Sequence, residues 1–548
     1  HCAADISSKK KKKNEKDNDG EDEGLINEDW RVARTFRISS EFISRTLAPS
    51  ILPHLHRYSP KDNEDESVVL QKPHYGQQYI SFVDSRQAAA RSTLKQNLSQ
   101  ESAWIYSRLM NKLSDEKQNE EQSRKSWEDA ITALENIPNR SGDIEKSIEE
   151  YKSKLAVPIH LTWMQAFEFL KKNMDEGGKP EADKLCGLFI DKDNDEEYNE
   201  NGEITENAKD KYVLQAMLAN LGRHVKTDAG QETMGLFTSY YPKLQKITKL
   251  PDVVKEFNEE FKVDIKIEEW QNLIKIFLDY RVRSDESFCF KDTSCPGIDI
   301  KELRRFATQK ERSRKPVEKP QVNNNNVNTA VITLLATLID PKSDNPGNVA
   351  KTHREYIEKV IDAFWDNILS AGFLEWDSNT DGYYFNITNI AFKLFDKVYM
   401  CDVPDQGCRV EKRPVDTLFM GYSPYIIDGK AVKYDGDPKG ETYPIYEYMD
   451  GKKEDGSRVT LEDIREWSEK NRKVLYDNNL WGESGYFTDR LDYIYSYPNI
   501  FIQAEHTAQV DRTTSRQNQY DFKKQEINIM ACSTTMEMGV DLGNMELV

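Results

Sequence analysis

Residues 526–548, EINIMACSTTMEMGVDLGNMELV, are the part of the chain from which its fold can be interpreted. Ile527, Ile529 and Met530 form a compact apolar run, which is followed by hydroxyl residues, a glycine-punctuated loop and a second apolar end. This order predicts a strand, a polar turn, a short helix and a second strand. Ligands of open α/β sheets bind at the carboxyl ends of strands, so the hydroxyls indicate a phosphate or nucleotide contact. From spacing alone, helix capping by Ser and Thr explains the same residues equally well.

Three segments resemble one known family, and they occur in the order that the family has. The segment CSTTMEMGVDLG at 532–543 resembles motif V of superfamily 2 helicases, and YISFVDSRQ at 79–87 resembles their motif IV. The segment EHTAQ at 505–509, together with Arg512, resembles the block just before motif V. The similarity is greatest to large bacterial DEAD/DEAH-box helicases of mitomycin repair and phage defence. The resemblance implies part of an ATP-dependent DNA helicase or translocase, namely its C-terminal RecA-like lobe.

The same resemblance implies roles for individual residues. Gly539 and Asp541 would approach the nucleotide. The nucleic-acid backbone would be contacted by residues at the ends of three strands: Ser85, Arg86, Glu505, His506, Thr507, Gln509, Ser533 and Thr534. Many family members have a single Thr followed by small residues where this chain has three hydroxyls in a row. The resemblance therefore indicates where the site is, but it leaves the individual hydroxyl assignments open.

The chemistry of ATP hydrolysis is incomplete in this sequence. A helicase needs a phosphate loop of the form GxxxxGK[ST], and no glycine of this chain begins that pattern. We therefore expect no catalytic residue and no metal ligand here, and we expect ATP and Mg²⁺ to be cofactors of the full-length protein only. Because the chain begins at His1 and ends at Val548 inside a predicted strand, we expect it to be a fragment that is inactive alone. A non-catalytic nucleic-acid-binding module and an interaction scaffold are the alternative functions.

The predicted fold class is α/β, with a RecA-like parallel sheet lobe interrupted by a large, mostly α-helical insert that contains a winged-helix domain. About 400 residues separate the two strand segments, which is far too long for an ordinary connection. We expect the strands around Phe82 and Ile529 to lie in one sheet. The predicted domains are 1–29, a charged linker; 30–113, the first part of the second RecA-like lobe; 114–326, a helical insert; 327–400, a winged-helix-like insert; 401–492, the rest of the insert; and 493–548, the second part of the lobe, which ends before motif VI.

The predicted winged-helix domain rests on the order of its elements. Two apolar helical stripes are followed by two short strand-like segments that flank a turn-rich stretch, as in a helix, helix and hairpin arrangement. A generic α+β insert has nearly the same pattern. Winged helices often bind duplex DNA. The basic candidates for such a contact are few: Lys351, His353, Arg354 and Lys393.

Composition limits the classes of partner. The 548-residue chain has 76 Lys and Arg against 95 Asp and Glu, which gives a formal net charge of −19. Nucleic acid must therefore be bound by local basic patches and not by the overall field. No apolar run has the length of a membrane span and no signal peptide is visible, so we expect a cytoplasmic protein without membrane contact. The expected partners are DNA, the first RecA-like lobe of the same protein, and proteins of repair or defence.

The seven cysteines are odd in number and scattered, which does not indicate a secreted disulfide framework. Two pairs, Cys289 with Cys295 and Cys401 with Cys408, are separated by five and six residues. Zinc sites favour separations of two to four residues within a pair. Buried or incidental thiols are therefore favoured over a zinc site.

Overall fold

The computed structural model describes residues 48, 51–61, 64–83, 85–138, 140–175, 177–189, 198–199, 203–221, 231–232, 236–282, 288–289, 316–322, 329–378, 381–395, 397–402, 412–436, 453, 457, 463, 466 and 500–533. The chain divides into two compact units. The sheet unit comprises residues 1–56, 78–96 and 503–548, and the helical unit comprises residues 57–77 and 97–502.

The described α-helices are α1 (Ser67–Gln71), α2 (Arg86–Glu135), α3 (Gly142–Ala156), α4 (Trp163–Lys172), α5 (Glu181–Phe189), α6 (Glu206–Leu221), α7 (Asp252–Phe261), α8 (Ile267–Val282), α9 (Ala330–Ile339), α10 (Pro346–Thr352), α11 (Arg354–Ser370) and α12 (Arg512–Lys523). Short 3-10 helices lie at Leu52–His54, Pro73–Gly76, Pro242–Lys246 and Ile387–Asn389. The described strands are β1 (Tyr79–Val83), β2 (Leu161–Thr162), β3 (Thr238–Tyr240), β4 (Phe288–Cys289), β5 (Leu374–Asp377), β6 (Gly382–Asn386), β7 (Ala391–Lys393), β8 (Tyr399–Asp402), β9 (Lys412–Val415), β10 (Tyr422–Ile427), β11 (Lys430–Lys433), β12 (Gln503–His506) and β13 (Ile529–Ser533).

The sheet unit contains a parallel sheet with the strand order β1-β13-β12. Tyr79 is the register partner of Ile529 and Phe82 that of Cys532, and both pairs belong to the parallel β1–β13 ladder. The prediction that the strands around Phe82 and Ile529 lie in one sheet is confirmed. All five residues of β13 are buried, as expected of the central strand of a parallel sheet that is covered on both faces.

Helices cover the two faces of this sheet. On one face, Val83 and Ala531 pack against Ala89 of α2, and the side chain of Gln503 contacts Ser92 of the same helix. Successive side chains of a strand point to opposite faces, so His506 projects from the other face, where it contacts α12. Since α12 follows β12 and precedes β13, it is the crossover helix that joins two adjacent parallel strands.

In the helical unit, α2 runs well beyond residue 113, the predicted boundary between the lobe and the helical insert, and stops at Glu135. Its polar second half is supported by ion pairs one turn apart, among them Lys112 with Glu116 at 2.6 Å. The helix α3 returns beside it, and Lys152 of α3 pairs with Glu135 of α2 at 2.6 Å. The start of the predicted helical insert is therefore a helical hairpin, whose first arm is a continuation of α2.

The two helices and the hairpin predicted within 327–400 are present, and a third short helix, α10, lies between the two helices. The helices α9, α10 and α11 are followed by the antiparallel pair β5–β6. The sequence did not indicate that β4 would pair in parallel with β6 and so widen the hairpin to three strands. This pairing depends on a segment distant in sequence, which local patterns do not report.

A charged network lies in the core of the helical unit. The Lys275 ammonium donates to Asp279 at 2.7 Å and to Asp416 at 2.9 Å, and the Tyr241 hydroxyl donates to Asp279 at 2.8 Å. Burial alone lowers the pKa of Lys275, but the two carboxylates outweigh it and raise that pKa overall. The network thus joins α8 to the residue that follows β9.

None of the helices that the structure describes combines the length and the apolar character required to span a bilayer.

Candidate nucleic-acid interface

The register of the parallel sheet gathers the predicted contact residues at one edge. Val83 pairs with Ser533, and His506 pairs with Cys532, so β1, β13 and β12 end at the same level. The predicted residues at or just beyond these ends are Ser85, Arg86, Glu505, His506, Thr507, Gln509 and Ser533. The structure therefore brings together seven residues from three distant segments. Thr534, Gly539 and Asp541 lie outside the described residues.

The junction between β1 and α2 presents an exposed hydroxyl and an exposed cation. The Ser85 hydroxyl accepts a hydrogen bond from the backbone N–H of Ala88 at 3.2 Å, and Arg86 is the first residue of α2. Both Ser85 and Arg86 are exposed. The remaining N–H groups of the first turn and the positive end of the helix dipole favour an anion here. Helix capping and phosphate binding are therefore compatible at this position.

The turn after β12 is held together by its own side chains. The Thr507 hydroxyl donates to the Glu505 carboxylate, and the Gln509 backbone N–H donates to the Thr507 oxygen at 3.3 Å. Thr507 is only 5% exposed and Ser533 only 3% exposed, whereas Gln509 is exposed. These two hydroxyls thus lie beneath the surface, and among the predicted residues that the structure describes, the exposed ones at this edge are Ser85, Arg86 and Gln509.

His506 lies on the face of the sheet that α12 covers. Its ring is hydrogen-bonded through Nε2 to the side-chain amide of Gln519. Burial lowers the pKa of His506 below its ordinary value of 6.5. The neutral imidazole is therefore the form favoured at neutral pH.

The N-terminus of α12 reaches the same edge of the sheet, and the sequence analysis did not include it among the site residues. Asp511 caps this helix by accepting from the Thr514 N–H at 2.8 Å. Arg512 and Arg516 follow on its first turns, and both are exposed. The signal that could have revealed this helix start is the Asp that precedes a long polar run directly after the EHTAQ segment.

The local charge differs in sign from that of the whole chain. Residues 78–96 and 503–533 contain seven Lys and Arg against five Asp and Glu, a formal net charge of +2, whereas the chain carries −19. A local excess of positive charge is what phosphate contact requires of an otherwise acidic protein.

Three of the four basic candidates in the predicted winged-helix region, all but Lys351, contact other described residues of the helical unit. Arg354 pairs with Glu358 at 2.7 Å, and Lys393 lies 3.8 Å from Asp416. The ring of His353 packs edge-on against a phenylalanine of α7. The exposed positions of α11 also include Glu355, Asp362 and Asp366, together with Lys359, which pairs with Glu355 at 2.9 Å. This surface therefore offers little net positive charge to a duplex.

The part of the chain that the structure describes offers few cysteines and no candidate metal site. There, no group of three or more His, Cys, Asp and Glu side chains could hold a metal ion. Cys401 is buried, and burial raises the pKa of its thiol to about 11. Cys289 lies in β4, while Cys295 and Cys408 lie outside the described residues.

Comparison of the chain with protein-family models, with curated proteins and with solved structures gives no match in any of the three.

Proposed function

We propose that this chain is part of an ATP-dependent helicase or translocase that acts on DNA, and that its sheet unit is the second RecA-like lobe of that motor. The observation that supports the proposal is the parallel pairing of β1, β13 and β12. This pairing brings to one edge the described parts of the three segments that resemble helicase motifs, although most of the chain separates β1 from the other two strands.

The role of the chain's own residues in this function is to hold the nucleic-acid backbone. Arg86 and Arg512 are the first residues of α2 and α12, whose N-termini both lie at the carboxyl edge of the sheet. Two exposed cations combined with two positive helix ends suit the phosphates of a nucleic-acid strand. The Ser85 hydroxyl and the Gln509 side chain add exposed polar groups between them.

ATP and Mg²⁺ are proposed as cofactors of the full-length protein. The described residues do not fit a nucleotide site by themselves. They contain no phosphate loop and no cluster of three metal-ligating side chains, and Gly539 and Asp541 lie outside them. When bound, ATP would supply the free energy that drives movement along the strand. No step of that reaction is assigned to the described residues.

The helices α9 to α11 and the hairpin β5–β6 are proposed to be a winged-helix domain that serves as an insert of the motor. The support is the order of these elements. Because Arg354 and Lys393 are engaged by carboxylates, we assign the DNA contact to the sheet unit and not to this insert.

Binding of a fluorescein-labelled oligodeoxythymidylate to the 548-residue chain, followed by fluorescence anisotropy, tests the nucleic-acid contact. We expect saturable binding at low salt that weakens steadily as salt is added, because phosphate contacts release counterions. Absence of binding at low salt contradicts the proposal. DNA-stimulated ATP hydrolysis by the full-length protein tests the motor function separately.

The missing phosphate loop favours one alternative, a nucleic-acid-binding module without catalysis. Saturable binding by this chain, combined with a full-length protein that hydrolyses no ATP in the presence of DNA, would establish that alternative and exclude the motor.

A further inference from the structure

Three side chains form a row on the face of the sheet opposite α2. His506 is the register partner of Cys532, and Cys532 is the register partner of Phe82, so the row crosses all three strands. Cys532 is fully buried, and burial raises the pKa of its thiol to about 11, which keeps it uncharged at neutral pH. Phe82 is 49% exposed and carries no charge. Within this row, His506 therefore has no ionic neighbour.

The helix α12 holds the end of β12 through two consecutive residues. The Asn518 side chain donates to the carbonyl oxygen of Glu505 at 3.1 Å, and the Gln519 side chain bonds the ring of His506. Two consecutive residues of α12 thus form hydrogen bonds to two consecutive residues of β12. This double contact sets both the height and the rotation of α12 over the sheet.

The hydrogen-bond roles define the form of the imidazole. An amide nitrogen only donates, so the Nε2 atom of His506 accepts from Gln519, and in a neutral ring the proton is then on Nδ1. The Glu505 carboxylate does not compete for this ring, because it projects from the opposite face and accepts from Thr507. On α12, the residues one turn from Gln519 include the exposed cations Arg516 and Lys523.

We propose that His506, Gln519 and Asn518 are positioning residues. In this proposal, which rests on the proposed function, they fix α12 so that Arg512 and the first turn of the helix face the phosphates, and His506 itself makes no phosphate contact. The family resemblance led us to expect a direct contact from His506. In the structure, the Nε2 atom of His506 and the Glu505 carbonyl at the end of β12 instead bond to side chains of α12.

The salt dependence of binding separates a positioning residue from a contact residue. Loss of a phosphate contact lowers the slope of log affinity against log salt by about 0.7 for a single strand. Gln519 is uncharged, so loss of a direct contact of its own would leave the slope unchanged, whereas loss of its positioning role withdraws the Arg512 cation from a phosphate. We therefore expect Gln519→Ala to weaken binding of a labelled oligodeoxythymidylate roughly tenfold and to lower the slope by up to about 0.7, because Arg512 loses its phosphate contact.

The matched control is Gln517→Ala, which removes an exposed glutamine of the same helix that bonds Asp521 at 2.7 Å. We expect this variant to bind like the unaltered chain. Equal affinities of the two variants would refute the positioning role while the proposed function stands. An unchanged slope for Gln519→Ala would refute it too, because Arg512 would then still neutralise its phosphate. If the unaltered chain does not bind at all, both proposals fail.

A measurement on the unaltered chain tests the same proposal without any variant at Gln519. If His506 were a phosphate-binding cation, the affinity for the oligonucleotide would rise as the pH falls through the pKa of His506. The variant His506→Gln would abolish that rise. We expect no such rise attributable to His506. A rise that His506→Gln removes would overturn the proposal.

Discussion

Val83 and Ser533 are register partners at the carboxyl ends of two adjacent parallel strands, although most of the chain lies between them. The strand β12 ends at the same level on the other side of β13. Parallel strands that end together bring the loops and helix starts that follow them to one edge of the sheet. The candidate interface is therefore a product of this pairing and not of any single segment.

Replacement of Arg86 by alanine should weaken binding of a single-stranded oligonucleotide and lower the salt slope by about 0.7, because one exposed phosphate contact is lost. The control is Arg91→Ala, since Arg91 is an exposed arginine further along the same helix. Fluorescence anisotropy titrations at several salt concentrations measure both quantities. If Arg91→Ala lowers the slope of log affinity against log salt as much as Arg86→Ala does, the helix attracts nucleic acid only through its general charge.

The titration of His506 should be displaced to lower pH. Burial lowers its folded pKa below the ordinary value of 6.5, so protonation favours the unfolded chain. The stability that this group contributes should be complete above about pH 6.5 and should be lost progressively as the pH falls from there to the folded pKa. NMR of ¹⁵N-histidine-labelled chain, with the His506→Gln spectrum for assignment, measures the pKa directly. An observed pKa at or above 6.5 would contradict the burial of the ring.

Replacement of Lys275 by methionine should destabilise the helical unit strongly. The side chain is buried and neutralises Asp279 and Asp416, so its removal leaves two buried carboxylates without their cation. A cost of about 3–5 kcal/mol is expected for breaking such a buried network. The matched control is Lys319→Met, which breaks the surface pair with Asp362 and should cost at most about 1 kcal/mol. Urea denaturation of both variants gives the comparison, and equal losses would mean that Lys275 is not essential to the core.

Gly382 at the start of β6 should not tolerate a side chain. A Cβ atom added there would lie 2.4 Å from the Cβ atom of Pro316, so one of the two segments must move. For Gly382→Ala we expect a loss of about 1–3 kcal/mol in the free energy of unfolding, as for overpacking of a core. The control is Gly142→Ala at the start of α3, where no atom lies within 4 Å. That variant should be neutral or more stable by up to about 1 kcal/mol. Calorimetric unfolding of the two variants distinguishes these outcomes.

Much of the local structure could be predicted from the sequence. The apolar run before the hydroxyls predicted β13, and the segment ending in Asp-Ser-Arg predicted β1 and the start of α2. The helix and hairpin order of 327–400 was also visible in the apolar spacing and the turn residues. These features depend on neighbours a few residues apart, which is the range over which hydrophobic periodicity and turn chemistry act.

The contacts between distant segments could not be obtained in this way. The sequence predicted Arg354 and Lys393 as basic candidates, but the fold pairs each with a carboxylate. It marked Thr507 and Ser533 as ligand hydroxyls, and the fold buries both. No local pattern connected Gln519 to His506.

The sequence by itself determined the strands around Phe82 and Ile529, the helix and hairpin order of 327–400, and the residues that stand at the ends of three strands. Only the tertiary structure decided that these ends meet at one edge, which of their side chains reach the surface, and that His506 lies against α12. The reason is physical, because secondary structure follows from interactions between near neighbours, whereas burial and charge pairing are set by residues that folding brings together from far apart.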